Sequence, residues 1–257
     1  MREPLSADAV ESTFHDVDLS KARFENVDLT RARFREVDFT GAVLRSCALV
    51  DVEISGRIEK LTVNGVDVAP LVETELNRRY PDRVKMRPDD ADGFRDAWQI
   101  LERLWDYTIE RARSLPESSL HERVDGEWSF IETLRHLLFA TDAWVSRAIL
   151  GDPAPWDALD LPHDDMPEEP SVPRDRVVKP SLDEVLALRS DRVATVSAYL
   201  GTLDDARLND TTVPVDEEGY PEHESFPVRQ CLRIVLNEEW SHRLYAERDL
   251  DTLLKVG

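Results

Sequence analysis

The chain has 257 residues and a formal charge of −21, with 53 Asp and Glu against 32 Lys and Arg. That balance argues against binding to a nucleic-acid backbone or an anionic membrane, and no apolar run approaches the ~18–20 residues needed to cross a bilayer. Two cysteines, Cys47 and Cys231, supply neither a disulfide framework nor a thiolate zinc site, and the N-terminus lacks a secretory apolar stretch, so a cytoplasmic protein is expected.

Residues 12–56 carry a period of five. Phe14, Leu19, Phe24, Leu29, Phe34, Phe39, Leu44, Leu49 and Ile54 recur at that interval, and two positions before each sits a small or β-branched residue, from Ser12 and Val17 to Cys47 and Val52. Self-similarity at a fixed period indicates a repeat architecture. Segments such as Ala22-Arg23-Phe24-Glu25-Asn26 and Ala32-Arg33-Phe34-Arg35-Glu36 resemble the pentapeptide-repeat family. The resemblance implies a short right-handed quadrilateral β-helix, with Phe14, Phe24, Phe34 and Leu44 pointing inward and Cys47 a buried, inert thiol. Nine pentapeptides make little more than two coils, and so short a solenoid needs capping. The alternating apolar residues of 58–66, with an Asn64-Gly65 turn, are the expected cap. Longer members of that family mimic DNA with a strongly acidic surface. Here residues 1–56 hold 11 acidic and 7 basic side chains, so a scaffold, a cap or a homodimer surface is the better reading. The module is expected to span 1–70, with a connector over 71–91.

From about Asp92 the apolar period becomes helical: Phe94, Trp98, Leu101, Leu104, Trp105, Ile109 and Ala112 share a face that stops before Pro116. A second helix opens at Ser129, where Ser129 and Glu132 have the spacing of a capping box, and runs to Gly151. Residues 152–180 hold seven prolines and no period, which reads as a long acidic loop. Ser181 and Glu184 form another capping-box signature for a third helix ending near Gly201. After a second loop, about 202–224, the last helix starts near Pro227.

That last helix carries Glu238 and His242, four residues apart and therefore on one face. If it packs against the second helix, His136 joins them as a His/Glu/His triad with a position left open, the catalytic arrangement for zinc. Spacing alone leaves a plainer alternative, a satisfied core histidine beside a surface carboxylate.

Glu127-Trp128-Ser129, Thr133-Leu134-Arg135-His136-Leu137, and later Glu238 and His242 followed by Tyr245 and Arg248-Asp249-Leu250, resemble the DinB-like superfamily over about residues 92–252. The resemblance implies a DinB-like four-helix bundle over 92–257, hence an α+β multidomain chain with the β-helix in front. It also implies a divalent metal held by His136 from the second helix and by Glu238 and His242 from the fourth. Many members use three histidines, and this chain departs from them at Glu238. The His/Glu/His version is similar to mycothiol-dependent maleylpyruvate isomerase, a zinc-dependent member; thiol S-transferases, a metal-dependent hydrolase and an iron-binding domain are other relatives.

Zinc is the first expectation for such a site, and mixed N/O ligation also admits nickel, iron or manganese. The ion would lower the pKa of a bound thiol or water toward neutrality. For a low-molecular-weight thiol of the mycothiol type, Arg147 and Arg248 are the candidate cofactor-binding residues; their alternative is salt bridging to Asp142 or Asp249. Glu239 points about 100° away from Glu238 and is expected in solvent. His121 and His223 lie in loops and are read as exposed, with a further ligand or proton shuttle as the alternative. Trp98, Trp105, Trp128, Trp144 and Trp240 are expected in the bundle core. No phosphate loop, dinucleotide fingerprint or nucleophile elbow occurs. Two readings remain open: a metal-dependent enzyme of thiol transfer, isomerisation or hydrolysis acting on a small molecule, or a non-catalytic metal-binding or interaction protein that uses its repeats as a scaffold.

Overall fold

The computed structural model describes residues 12–35 and 37–256. The chain divides into two compact units, one ending at Gly56 and the other starting at Arg57, earlier than the boundary at 70 expected from sequence. Residues 1–11 of the expected N-terminal module, and Glu36 within it, lie outside the described residues.

The five-residue period survives as backbone geometry. Asp16, Lys21, Asn26, Arg31, Gly41, Ser46, Asp51 and Gly56 all take positive φ, one per repeat. Turns close from Ala22, Ala32 and Ala42 N–H to the carbonyls of Leu19, Leu29 and Phe39, each at 2.9 Å. In the same turns the Asp18, Asp28 and Asp38 carboxylates accept from the backbone N–H of Ser20, Thr30 and Thr40. The expected interior does not follow. Among the described residues of this unit there is no strand, and Phe14, Phe24, Phe34 and Leu44 are 57–67% exposed. Cys47 is exposed as well, which corrects the buried thiol. One repeat cannot bury its own apolar face; only stacking neighbours do so. Nine repeats leave that stacking incomplete.

In the second unit, Thr62–Val63 (β1) and Val66–Asp67 (β2) pair antiparallel across Asn64-Gly65. Both turn residues have positive φ, the two-residue hairpin geometry that Asn-Gly favours. The expected connector is ordered: Ala69–Arg79 forms helix α1 and Pro81–Met86 a 3-10 turn.

Four long helices build the core. They are α2 (Ala91–Ala112), α3 (Phe130–Thr141), α4 (Leu182–Thr202) and, after a short α5 (Asp205–Leu208), α6 (Val228–Val256). Asp90 caps α2 by accepting from Gly93 N–H, and both expected capping boxes, Ser129/Glu132 and Ser181/Glu184, are formed. Each cap is worth about 1 kcal/mol. Phe94, Trp98, Leu101 and Trp105 of α2 meet Leu232, Val235, Leu236 and Trp240 of α6, and Leu134, Leu137 and Leu138 of α3, in two buried clusters. Each such side chain contributes roughly 1.5–3 kcal/mol. α6 packs on both α2 and α3, and α4 packs on both as well.

Past Thr141 the third helix widens into a π-helical turn, Asp142–Arg147. Ala148 N–H reaches the Ala143 carbonyl at 3.1 Å and Leu150 N–H the Val145 carbonyl at 2.9 Å. A π-turn rotates the residues that follow it relative to a regular helix, and here it ends at Arg147. Among the described residues, no helix is long and apolar enough to cross a membrane.

Candidate metal centre

His136 sits midway along α3 with Leu134, Leu137 and Leu138 buried around it. Glu238 and His242 face it from α6, one turn apart. Glu238 Oε2 lies 3.3 Å from His136 Nε2 and 3.0 Å from His242 Nε2. One ligand atom from each residue falls within 4.8 Å of the other two.

The tautomer of His136 follows from its other nitrogen. Nδ1 stands 2.9 Å from the Leu161 carbonyl, so it carries the proton and donates. That leaves Nε2 with a lone pair aimed at a carboxylate, an arrangement that needs a proton or a cation between the two. Two imidazoles and one carboxylate, one of them oriented by a backbone carbonyl, fit a divalent ion of the zinc type. Burial would raise the Glu238 carboxyl, but the two imidazoles that face it, His136 and His242, outweigh burial and hold the group well below the usual carboxylate range. Glu238 is therefore ionised and ready to ligate.

Aromatic rings wall the triad. Trp128 stacks on His242, centroids 5.9 Å apart and planes 11° apart, and lies 4.7 Å from the His136 ring. Phe139 contacts His136 at 6.0 Å and stacks on Tyr220 at 5.6 Å, and Tyr220 meets His163 edge-on at 5.9 Å. His163 is half-buried; burial and the neighbouring His136 lower its pKa. Burial and the Glu238 charge raise that of Tyr220, which stays a neutral phenol. His163 and Tyr220 lie in aperiodic loops, so no spacing pointed to them. Trp128 was expected in the core, although its place directly before the capping box was a usable signal.

The remaining candidates fall elsewhere. Arg147 is 2% exposed and does not pair with Asp142, which is held by Arg192 at 2.8 Å. Its guanidinium donates to the carbonyls of Pro153 and Glu217 and so ties two loops together. It is a clamp within the fold, not an arm free for a cofactor. Arg248 bonds Asp249 at 2.7 Å and lies over the Tyr245 ring. Glu239 is buried, not solvated: Arg189 grips both its oxygens, at 3.2 and 2.9 Å, and itself stacks on Trp105. His223 is exposed and bonds the Val215 carbonyl; His121 ends a 3-10 turn, Glu117–His121. Trp98, Trp105 and Trp240 are core residues, and Trp144 packs at the core's edge.

The profile of the DinB superfamily matches residues 100–246, more than half of the chain and all three residues of the triad. The chain belongs to the DinB superfamily. A second profile, for pentapeptide repeats, matches residues 8–52 in eight copies. Compared with the curated proteins and with the solved structures, the chain finds no match. In this DinB protein the triad draws on two helices 102 residues apart in sequence, and its geometry rests on the packing of α3 against α6.

Proposed function

We propose that this DinB protein is a divalent-metal-dependent enzyme, that His136, Glu238 and His242 are its metal ligands, and that α2, α3, α4 and α6 act as the four-helix bundle of the superfamily. The observation that carries the reading is the convergence of three ligand atoms within 4.8 Å, with His136 held in the ligating tautomer by Leu161. Zinc is the favoured ion. When bound, it would supply a Lewis acid that lowers the pKa of a thiol or water at the open position. The chain's own residues do the rest. Leu161 orients His136, Glu238 brings the negative charge, and Trp128, Phe139 and Tyr220 keep water from the flanks. The reaction class that follows is thiol transfer, isomerisation or hydrolysis, with a low-molecular-weight thiol as the proposed co-substrate.

The test is calorimetric titration of low-molecular-weight thiols into zinc-loaded and metal-free protein. Tighter binding to the loaded form supports thiol chemistry. Equal or absent binding in both forms removes the thiol and leaves hydrolysis.

A second role, as an interaction scaffold, is favoured by one observation only. Phe14, Phe24, Phe34 and Leu44 are exposed on the repeat unit, and exposed apolar side chains that gather into a patch mark interaction surfaces.

A further inference from the structure

α3 is buried on every side from Thr133 to Thr141, and a charged residue stands in that stretch. Arg135, next to His136, is 1% exposed. Taking a guanidinium out of water is costly unless its N–H groups find acceptors. Those of Arg135 find them in a single loop. Nε donates to the Leu159 carbonyl at 2.7 Å, Nη2 to that of Asp175 at 2.6 Å and Nη1 to that of Val178 at 3.4 Å. Leu161 N–H in turn donates to the Arg135 carbonyl at 3.3 Å. All these loop groups lie in residues 152–180, which form neither helix nor strand, so their backbone polar groups depend on such partners. The same stretch supplies the Leu161 carbonyl, which accepts from His136 Nδ1 at 2.9 Å. Two neighbouring residues of α3 thus hold one loop, Arg135 at Leu159 and His136 at Leu161.

We propose that Arg135 is a positioning residue for His136: it fixes the Leu159–Leu161 backbone, so that the Leu161 carbonyl keeps the imidazole proton on Nδ1 and leaves Nε2 free to ligate. The inference rests on the reading of His136 as a metal ligand, and it adds the residue that sets the acceptor in place. A carbonyl behind a ligating imidazole selects the tautomer and the ring orientation, but only if the carbonyl is itself held. Leu161 lies in a loop that no ladder holds. A rigid planar fork with donors on three nitrogens suits the task, whereas a lysine ammonium on its flexible stem does not match it. Arg174 offers a comparison within the same loop: its Nη2 donates to the Met166 and Pro167 carbonyls, beyond Leu161 in the chain.

The experiment compares wild type with Arg135→Met, Arg135→Lys and Arg174→Met, each as the full chain. Proton–nitrogen correlation spectra of the imidazoles report the His136 tautomer in metal-free protein, and competition with a chromophoric chelator reports zinc affinity. Wild type should carry the His136 proton on Nδ1. Arg135→Met should give a mixture of tautomers and bind zinc about 10–100-fold more weakly, the usual cost of losing an outer partner of a ligand. Arg135→Lys keeps the charge and should fall between the two; if Arg135→Met does not fold, Arg135→Lys carries the test by the same readouts. Arg174→Met should match wild type. An Arg135 that only supports the fold would lower Tm and leave tautomer and zinc affinity at their wild-type values, and that result overturns the proposal. So does an Arg174→Met as disturbed as Arg135→Met, because any loosening of the loop would then suffice. A wild type with the proton on Nε2 overturns it as well. If wild type takes no zinc while its tautomer still depends on Arg135, the positioning stands and the metal reading falls. Zinc bound equally by wild type and every variant does the reverse.

Discussion

Glu238 Oε2 lies 3.0 Å from Nε2 of His242, one helical turn along α6, while the next residue, Glu239, turns into the core toward Arg189. Two adjacent carboxylates thus have opposite fates, and substitution should separate them. Glu239→Gln should leave metal content unchanged but strand the buried Arg189 guanidinium, at a cost of about 3–5 kcal/mol. Thermal unfolding together with elemental analysis checks both halves. Loss of metal with stability intact would reverse the assignment of the two residues.

Gly219 meets the Arg147 guanidinium closely. A Cβ at that position would stand 2.7 Å from Arg147 Cζ, on a backbone with φ of +157°. Gly219→Ala should therefore cost about 1–3 kcal/mol through overpacking and backbone strain. Hydrogen exchange should show the added mobility in the loops that Arg147 ties at Pro153 and Glu217. Unchanged protection there would deny the clamp.

Asp160 is fully buried beside Asp142. Burial first, and the Asp142 charge second, push its carboxyl up to about 8; Asp142 is itself raised by burial, against the pull of Arg192. The folded chain therefore keeps a proton that the unfolded chain gives up near the ordinary carboxyl value. Stability should fall as pH rises between about 4 and 8 and level off above that. Urea unfolding at a series of pH values measures the slope, and Asp160→Asn should flatten it. A variant with the wild-type slope would place the buried proton elsewhere.

Phe34 is 57% exposed, so Phe34→Ala should change the unfolding free energy of the helical unit by no more than about 0.5 kcal/mol. A fully buried phenylalanine would cost about 3–5 kcal/mol, and a loss of that size would mean that the repeats close a core after all. Calorimetry of the two proteins distinguishes the cases.

What could be read from the sequence was local. Ser129/Glu132 and Ser181/Glu184 announced their caps because capping depends on residues three apart, and Asn64-Gly65 announced its hairpin because the turn needs positive φ twice. Glu238 and His242 were legible as a pair for the same reason, and the family pattern supplied His136. Partners distant in sequence were not legible. Arg189 lies 50 residues before Glu239, and nothing near either names the other. Arg147 was misread because its acceptors, Pro153 and Glu217, sit in loops without a period, and His163 and Tyr220 were hidden in the same loops. The repeats were recognised, but their burial depends on stacking, which no single pentapeptide encodes.

The central claim is that His136, Glu238 and His242 hold one divalent ion. The most direct test is metal stoichiometry of the purified chain beside its His136→Ala and Glu238→His variants. The wild type should carry one equivalent. His136→Ala should carry none, because two ligands one turn apart do not close a tripod, whereas Glu238→His should keep its ion as a three-histidine site. A full equivalent retained by His136→Ala would contradict the triad and the enzyme built on it.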